Sequence, residues 1–276
     1  MKIKPVFDVV ISTAGRFDKL ELCLNSIYKY ATIPITITVI DDACNKEEKS
    51  HYKNLFEYDL EKDVNKNVLT YTTYRNETAE GFGGSYNRGA KKAHSPFLTI
   101  LNDDIELHEG YFDKVFEDMQ DSTIGVVGSR LLFPDTSTSK NRPAGKIQHI
   151  GISLNIKGGV THPLIGWSPE NPRTQISREV FATTGALFTT RTQLFHNIGG
   201  FDPIYGLGYF EDVDYCLKVR QKGFRIWLDS NASGTHYANA TSEKNPTAFG
   251  NQFQRNAMIF RARWGDSLVC DDFTYG

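Results

Sequence analysis

Cysteine is scarce and unpatterned in this chain. The four present, Cys23, Cys44, Cys216 and Cys270, include no CxxC pair. That excludes a zinc framework or a disulfide scaffold and fits a reducing compartment. No run of about 18 apolar residues occurs, so no membrane-spanning helix is expected. The start, Met1-Lys2-Ile3-Lys4-Pro5, leads straight into a short apolar segment without the apolar stretch of a secretory signal. The sequons at Asn76, Asn231 and Asn239 therefore read as chance matches, and the chain is expected to be soluble and cytoplasmic. Basic surplus is also missing: the net formal charge is -2, which gives no general reason to expect nucleic acid as a partner. There is no internal repeat, linker or composition break.

What is present suits one large core, since 276 residues with 39% hydrophobic content is ordinary for a globular chain. The first half alternates strand and helix. Val6–Ser12, Ile35–Ile40, Val68–Tyr74 and Phe97–Leu101 are β-rich apolar runs. Between them, Phe17, Leu20, Leu24 and Ile27 recur at helical spacing over 16–30, as do Tyr52, Leu55, Phe56 and Leu60 further on. Gly81 to Gly89 opens a short helix reaching about His94. This alternation predicts an α/β fold whose parallel sheet carries helices on both faces, with ligands beyond the carboxyl ends of the strands. After Asp104 the spacing predicts a helix over 109–120, strands over 124–133, 147–156, 180–189 and 224–228, and helices over 191–198 and 211–222, the last stopped by Gly223. Pro134–Pro143 and Gly158–Pro172 read as loops, and 247–264 as a basic amphipathic helix.

Carboxylates collect at the predicted strand ends. Asn102-Asp103-Asp104 follows the fourth strand with no nearby basic residue expected to pair the acids, so they repel unless solvated or bound to a hard cation. A solvated turn and a metal site both satisfy that pattern. Asp41-Asp42 ends the second strand, where a carboxylate can accept from a base or a ribose hydroxyl, or cap a helix. The run Gly81-Phe82-Gly83-Gly84-Ser85-Tyr86 lacks the third glycine of GxGxxG and follows the wrong strand for a dinucleotide fingerprint. It remains a backbone that a ligand could approach closely. Glu211-Asp212 heads a helix, where acids favour the macrodipole, and its preceding loop suggests a surface edge at which a carboxylate could act as general base. His236 is either a metal ligand or a polar loop residue.

In order, these segments resemble the family 2 glycosyltransferases of GT-A fold, from about Val6 to His236. Ser12-Thr13-Ala14-Gly15-Arg16 is similar to the family's opening nucleotide-contacting loop, and Ile40-Asp41-Asp42-Ala43 to its base-holding acidic motif. The Gly-rich element ending in Asn87-Arg88-Gly89 and the Leu101–Asp104 segment, in the place of the DxD motif, follow. Asn102 replaces the first acid of that motif, as in rhamnosyltransferase-like members. Thr184-Gly185-Ala186, Gly199–Asp202 and Phe210–Asp214 resemble the acceptor-side block, and His236 the trailing histidine. The resemblance implies a GT-A fold: a Rossmann-like mixed central sheet with helices on both faces, in one domain over 1–246. Within it, 1–104 would bind the nucleotide and 105–246 the acceptor, with 247–276 a C-terminal helix and tail.

It further implies an inverting, metal-dependent hexosyltransferase that takes a UDP- or dTDP-sugar donor and a glycan or other hydroxyl-bearing acceptor. Ser12, Thr13, Ala14, Arg16, Asp41, Asp42, Gly83, Asn87, Asn102 and Asp103 would contact the nucleotide-sugar. Asp104, Asp103 and His236 would hold Mn2+ or Mg2+. Asp212, with Glu211, would supply the base, and Thr184, Gly185 and Phe210 would meet the acceptor. Arg261-Ala262-Arg263-Trp264 lacks the glutamine of the processive Gln-x-x-Arg-Trp motif, so a non-processive enzyme is expected. The basic tail (Arg255, Arg261, Arg263) leaves peripheral association with an anionic surface open. A sugar-1-phosphate nucleotidyltransferase and a non-catalytic glycan-binding module are the alternative readings.

Overall fold

The computed structural model describes residues 3–43, 65–154, 159–237 and 246–268. The predicted helix around Tyr52–Leu60, together with Cys44, Cys270 and Asn239, lies outside them. Four strands form as the β-branched runs demand: β1 (Phe7–Thr13), β2 (Ile35–Asp41), β3 (Val68–Arg75) and β4 (Phe97–Asn102). They pair in parallel in the order β3-β2-β1-β4. Because β1 is covered on both sides, alternate residues enter two cores. Phe7, Val9 and Ile11 meet Leu20, Leu24 and Ile27 of α1 (Phe17–Tyr30), whereas Val10 meets the opposite layer.

That opposite layer is α2 (Gly81–Ala90), and its glycines explain how close it comes. A Cβ on Gly89 would stand 2.3 Å from Val10 Cγ1, and one on Gly83 would press the Phe201 side chain at 3.1 Å. These glycines pack the helix onto the protein. The helix ends at Ala90, short of the expected His94, because the chain turns there to let Ser95 and His94 donate backbone N–H groups to the buried Asp8.

The second half turns the sheet mixed. The chain continues through β5 (Ile105–Leu107), α3 (Tyr111–Asp118), β6 (Ile124–Leu132), β7 (Ile147–His149), β8 (Ser153–Leu154), β9 (Val160–Thr161) and β10 (Arg178–Glu179). It then forms β11 (Leu187–Arg191), α4 (Thr192–Ile198), α5 (Glu211–Gln221), β12 (Arg225–His236) and α6 (Pro246–Trp264). β11 inserts antiparallel between β4 and β6, and β12 lies parallel to β6. Two expectations need correction. The strand predicted over 147–156 breaks at Gly151, whose φ of +100° takes the chain out of extended geometry. The run 180–186 stays outside the sheet until Leu187, held by the Ile152–Ala182 bridge. Among the described residues no helix is long and apolar enough to cross a membrane.

The C-terminal helix docks on the body. Phe260 and Trp264 enter the second core, and the fully buried Asp214 accepts from Trp264 Nε1 (2.9 Å), Arg263 Nη1 (2.8 Å) and Tyr205 OH (3.1 Å). Arg263 also pairs with Asp202, so the tail's basic face is partly tied into the fold.

Candidate active site

Parallel pairing aligns the carboxyl ends of three strands: Thr13 sits opposite Asp41, and Ser12 opposite Asn102. Asp103 and Asp104 follow immediately and are both buried. The expectation that no cation stands near them is wrong. Arg16, at the end of the opening loop, places Nη1 2.6 Å from Asp104 Oδ2, and its Nη2 donates to Asp103 Oδ1. Burial pushes the Asp103 carboxyl up, to about 7, against the pull of Arg16. For Asp104 the same burial is outweighed by His236 and then by Arg16, which hold it below the ordinary carboxylate range.

His236 is the last residue of the twelve-residue β12, not a loop residue after a short strand. Its Nδ1 lies 2.6 Å from Gln148 Oε1, and Gln148 Nε2 donates to the His236 carbonyl at 3.3 Å. A carbonyl oxygen only accepts, so a neutral His236 carries its proton on Nδ1. Its Nε2 lone pair then faces Asp104 Oδ1 at 3.2 Å, an oxygen without a hydrogen-bond partner. Two acceptors facing each other across that distance call for a proton or a cation between them. A hard carboxylate oxygen with an oriented imidazole is a mixed oxygen–nitrogen donor set that suits Mn2+; Mg2+, which takes oxygen ligands, fits the Asp104 side alone. Asp103 turns toward Arg16, and among the described residues no three His, Cys, Asp or Glu side chains gather to cage an ion. Beyond His236 opens a cavity of about 270 Å³, lined by the 134–139 loop, Arg142, Gln148 and Tyr237.

The second acidic pair is built differently. Asp212 Oδ2 accepts from the Gly185 N–H at 2.9 Å and its Oδ1 from the Val213 N–H at 2.8 Å. Burial raises its pKa against these two donors, and that of Glu211 is pushed well up by burial and by Asp212. Glu211 is buried rather than at a surface edge. The turn before them is strained: Tyr209 and Phe210 both have φ near +75°, at 75° and 74°, a region non-glycine residues rarely enter. The buried Asn256 of α6 secures it, donating to the carbonyls of Tyr205, Gly208 and Tyr209 at 2.8, 2.7 and 3.0 Å.

One backbone bond joins the two centres. Asn102 N donates to Ala186 O at 2.8 Å, which sets the strand end carrying Asp103 and Asp104 against the Thr184–Gly185 turn that grips Asp212. Thr184 is partly buried there, and a Cβ on Gly185 would meet both the Phe82 ring at 2.8 Å and Asp212 Cβ at 3.2 Å.

Other expected contacts are directed inward. Asp41 pairs with Arg75 at 2.7 Å, and Asp42 accepts from Asn76 Nδ2 (2.7 Å), Glu80 N (2.7 Å) and Gly81 N (3.0 Å), at the start of α2. Asn87 exchanges both its amide atoms with the Phe201 backbone, and Asn102 Oδ1 accepts from Tyr86 OH at 3.0 Å. Gly83 faces Phe201, and Phe210 packs on Phe253 and Phe260. Ser12 is half-buried, Thr13 buried and Ala14 exposed. Gln148, Asn76, Asn256 and the pair His149–His162 escaped sequence reasoning. Each sits in a segment whose pattern reads only as strand, loop or helix.

A family model described as Glycosyl transferase family 2 matches residues 8–191. Asp212 and His236 fall beyond that match, so their placement rests on the geometry above. O-antigen biosynthesis protein RfbC of Myxococcus xanthus is 28% identical over 163 residues, covering 56% of this chain and 12% of that protein. The chain thus spans a small part of that relative. A structure of GalNAc-T7 with UDP, GalNAc and Mn2+ superposes with a TM-score of 0.64 at 21% identity, over 84% of this chain and 44% of that one. Mannosyltransferase PcManGT from Pyrobaculum calidifontis, with GDP-Man and Mn2+, gives 0.65 at 13% identity over 98% and 66%. The fold is therefore GT-A, with a mixed central sheet between helical layers, and the chain belongs to glycosyltransferase family 2.

Proposed function

We infer that this chain moves a sugar from a nucleotide-sugar donor to an acceptor hydroxyl by one displacement that inverts the anomeric centre. The observation that carries this reading is the Asn102–Ala186 bond, which brings two separately built carboxylate centres to one edge of the sheet. A uridine or thymidine diphosphate sugar is the donor and a glycan the acceptor. The GalNAc-T7 complex, with UDP and Mn2+, supports a uridine donor and the ion, whereas the PcManGT complex, with GDP-Man and Mn2+, supports a nucleotide-sugar donor and the ion but not that base.

Ser12, Thr13 and Ala14 line the nucleotide side, with the Arg16 guanidinium as a diphosphate partner. Asp41 and Asp42 act there by fixing Arg75 and the start of α2, not as free acceptors. Asp104 and His236, with Asp103 behind Arg16, would hold Mn2+ or Mg2+. Such an ion, when bound, neutralises charge on a departing diphosphate. Asp212 takes the proton of the acceptor hydroxyl as that oxygen bonds to the anomeric carbon and the carbon–oxygen bond to the diphosphate breaks. The two backbone N–H groups fix the carboxylate's orientation, and its raised pKa gives it the basicity the step requires. Addition of single sugars follows from the absence of the glutamine of the Gln-x-x-Arg-Trp motif before Arg263-Trp264.

The test is nucleoside diphosphate release from a panel of nucleotide-sugars with glycoside acceptors. Asp212→Asn should lower turnover by about 10²–10⁴-fold with donor binding retained. Wild-type turnover in that variant would remove Asp212 from the mechanism. Pyrophosphate release instead would favour a nucleotidyltransferase, and binding without turnover a glycan-binding module.

A further inference from the structure

Beside Asp212 lies a pair of histidines that the reading above does not use. His149, at the end of β7, is 2% exposed. Its Nε2 accepts the Gly151 N–H at 3.2 Å and the Thr184 N–H at 3.4 Å, and stands 3.1 Å from Thr183 Oγ1. Backbone N–H groups only donate, so Nε2 keeps its lone pair and a neutral His149 carries its proton on Nδ1. That proton points at His162 Nδ1, 3.0 Å away. His162 Nδ1 must then accept, and the proton of the neutral His162 ring sits on Nε2.

The consequence is directional. The two nitrogens of an imidazole diverge, so His162 offers its Nε2–H away from His149, from an exposed ring just after β9. Among the described residues no hydrogen bond engages that Nε2. The position is tied to the expected base. His149 grips Thr183 and Thr184, and the next residue, Gly185, donates to Asp212. Burial keeps His162 neutral against the pull of Asp212, whose carboxylate lies within electrostatic reach of the ring. An exposed residue whose ring is held through a buried partner at Nδ1 and has no hydrogen-bond partner at Nε2 among the described residues is suited to donate to a bound ligand.

We propose that His162 is an acceptor-positioning residue, locked by His149 into the tautomer that donates Nε2–H to an oxygen of a saccharide acceptor next to Asp212. The inference rests on the glycosyltransferase reading of the site. His162 holds an acceptor oxygen while Asp212 takes the proton of the attacking hydroxyl, so it acts on binding and alignment. Among the described residues, the charged or titratable groups within electrostatic reach are Asp212 at His162, and His236 and Arg178 at His149; Arg178 also donates to the Ile150 carbonyl beside His149.

Two measurements test it. Long-range 1H–15N correlation at pH 7.5 should show His149 protonated at Nδ1 and His162 at Nε2; the reverse tautomer or a cationic His162 would overturn the proposal. Transfer to a panel of octyl β-hexosides should show His162→Phe raising the acceptor KM by about 3- to 10-fold, the loss of one neutral hydrogen bond, with the donor KM unchanged. His162→Gln, which keeps a donor near the Nε2 position, should recover most of that loss, and melting curves should show both variants folded. An unchanged acceptor KM in His162→Phe, while Asp212→Asn is inactive, sinks this inference alone. Wild-type turnover in Asp212→Asn sinks the reading beneath it. If no octyl hexoside accepts sugar, the tautomers decide.

Discussion

Arg16 Nη1 stands 2.6 Å from Asp104 Oδ2, across 88 residues of sequence, and the same guanidinium also grips Asp103. Asp103 and Asp104 are 1% and 2% exposed and Arg16 is 17% exposed, so this is an ion pair removed from water. A buried pair adds little net stability, but breaking it leaves uncompensated charge.

Arg16→Ala should therefore destabilise the fold by about 3–5 kcal/mol, read from urea denaturation. Added Mn2+ should restore part of the loss by supplying positive charge to the same carboxylates, raising the variant's midpoint more than the wild type's. A variant as stable as wild type would show that Arg16 and the acids are solvated.

Asn256→Ala should cost about 1–3 kcal/mol, because three carbonyls of the 205–209 turn lose a buried donor. The turn holds Tyr209 and Phe210 in left-handed backbone geometry, so turnover should fall more than donor affinity does. Kinetics and nucleotide titration on the same preparation separate the two effects.

Gly89→Ala should destabilise by about 1–3 kcal/mol, since its methyl would lie 2.3 Å from Val10 Cγ1. Thermal melting with and without UDP and Mn2+ should show the same ligand-induced shift in variant and wild type. A selective loss of that shift would restore a ligand-approach role to the Gly-rich helix.

Stability should decline in acid through His149. Burial holds its pKa well below the ordinary 6.5. Between the depressed folded value and 6.5 the unfolded chain binds more protons than the folded one, so stability is full above pH 6.5 and is lost as pH falls through that window. Because Asp103 and Glu211, whose pKa values burial raises, act with the opposite sign over the same range, the limb is read as the difference between wild-type and His149→Gln urea midpoints from pH 7.5 to 5, which should shrink as the pH falls.

The strand ends were legible because apolar β-branched runs stop abruptly at Asp41 and Asn102, and local pattern decides where a buried strand stops. The helix at Glu211 was legible from its period and from Gly223 behind it. Asp104 and His236 stand 3.2 Å apart, and the Asn102–Ala186 bond links the segments that carry Asp104 and the grip on Asp212. What stayed hidden is long-range pairing. Nothing near Arg16 announces Asp103, and nothing near Gln148 announces His236. Strand 224–228 reads as short because polar residues follow it, yet β12 runs on to His236 through a register shift between Asp229 and Ser233, since β5 and β6 flank it. The glycines of α2 suggested ligand approach from sequence, whereas contact with Val10 and Phe201 accounts for Gly89 and Gly83.

The most direct test is calorimetric titration of a panel of nucleoside diphosphates into wild type and Asp104→Ala, each with Mn2+ and with chelator. One nucleotide should bind wild type in the presence of Mn2+, and both chelator and the substitution should abolish this binding. Absence of binding by any nucleotide to wild type, with or without Mn2+, would contradict it.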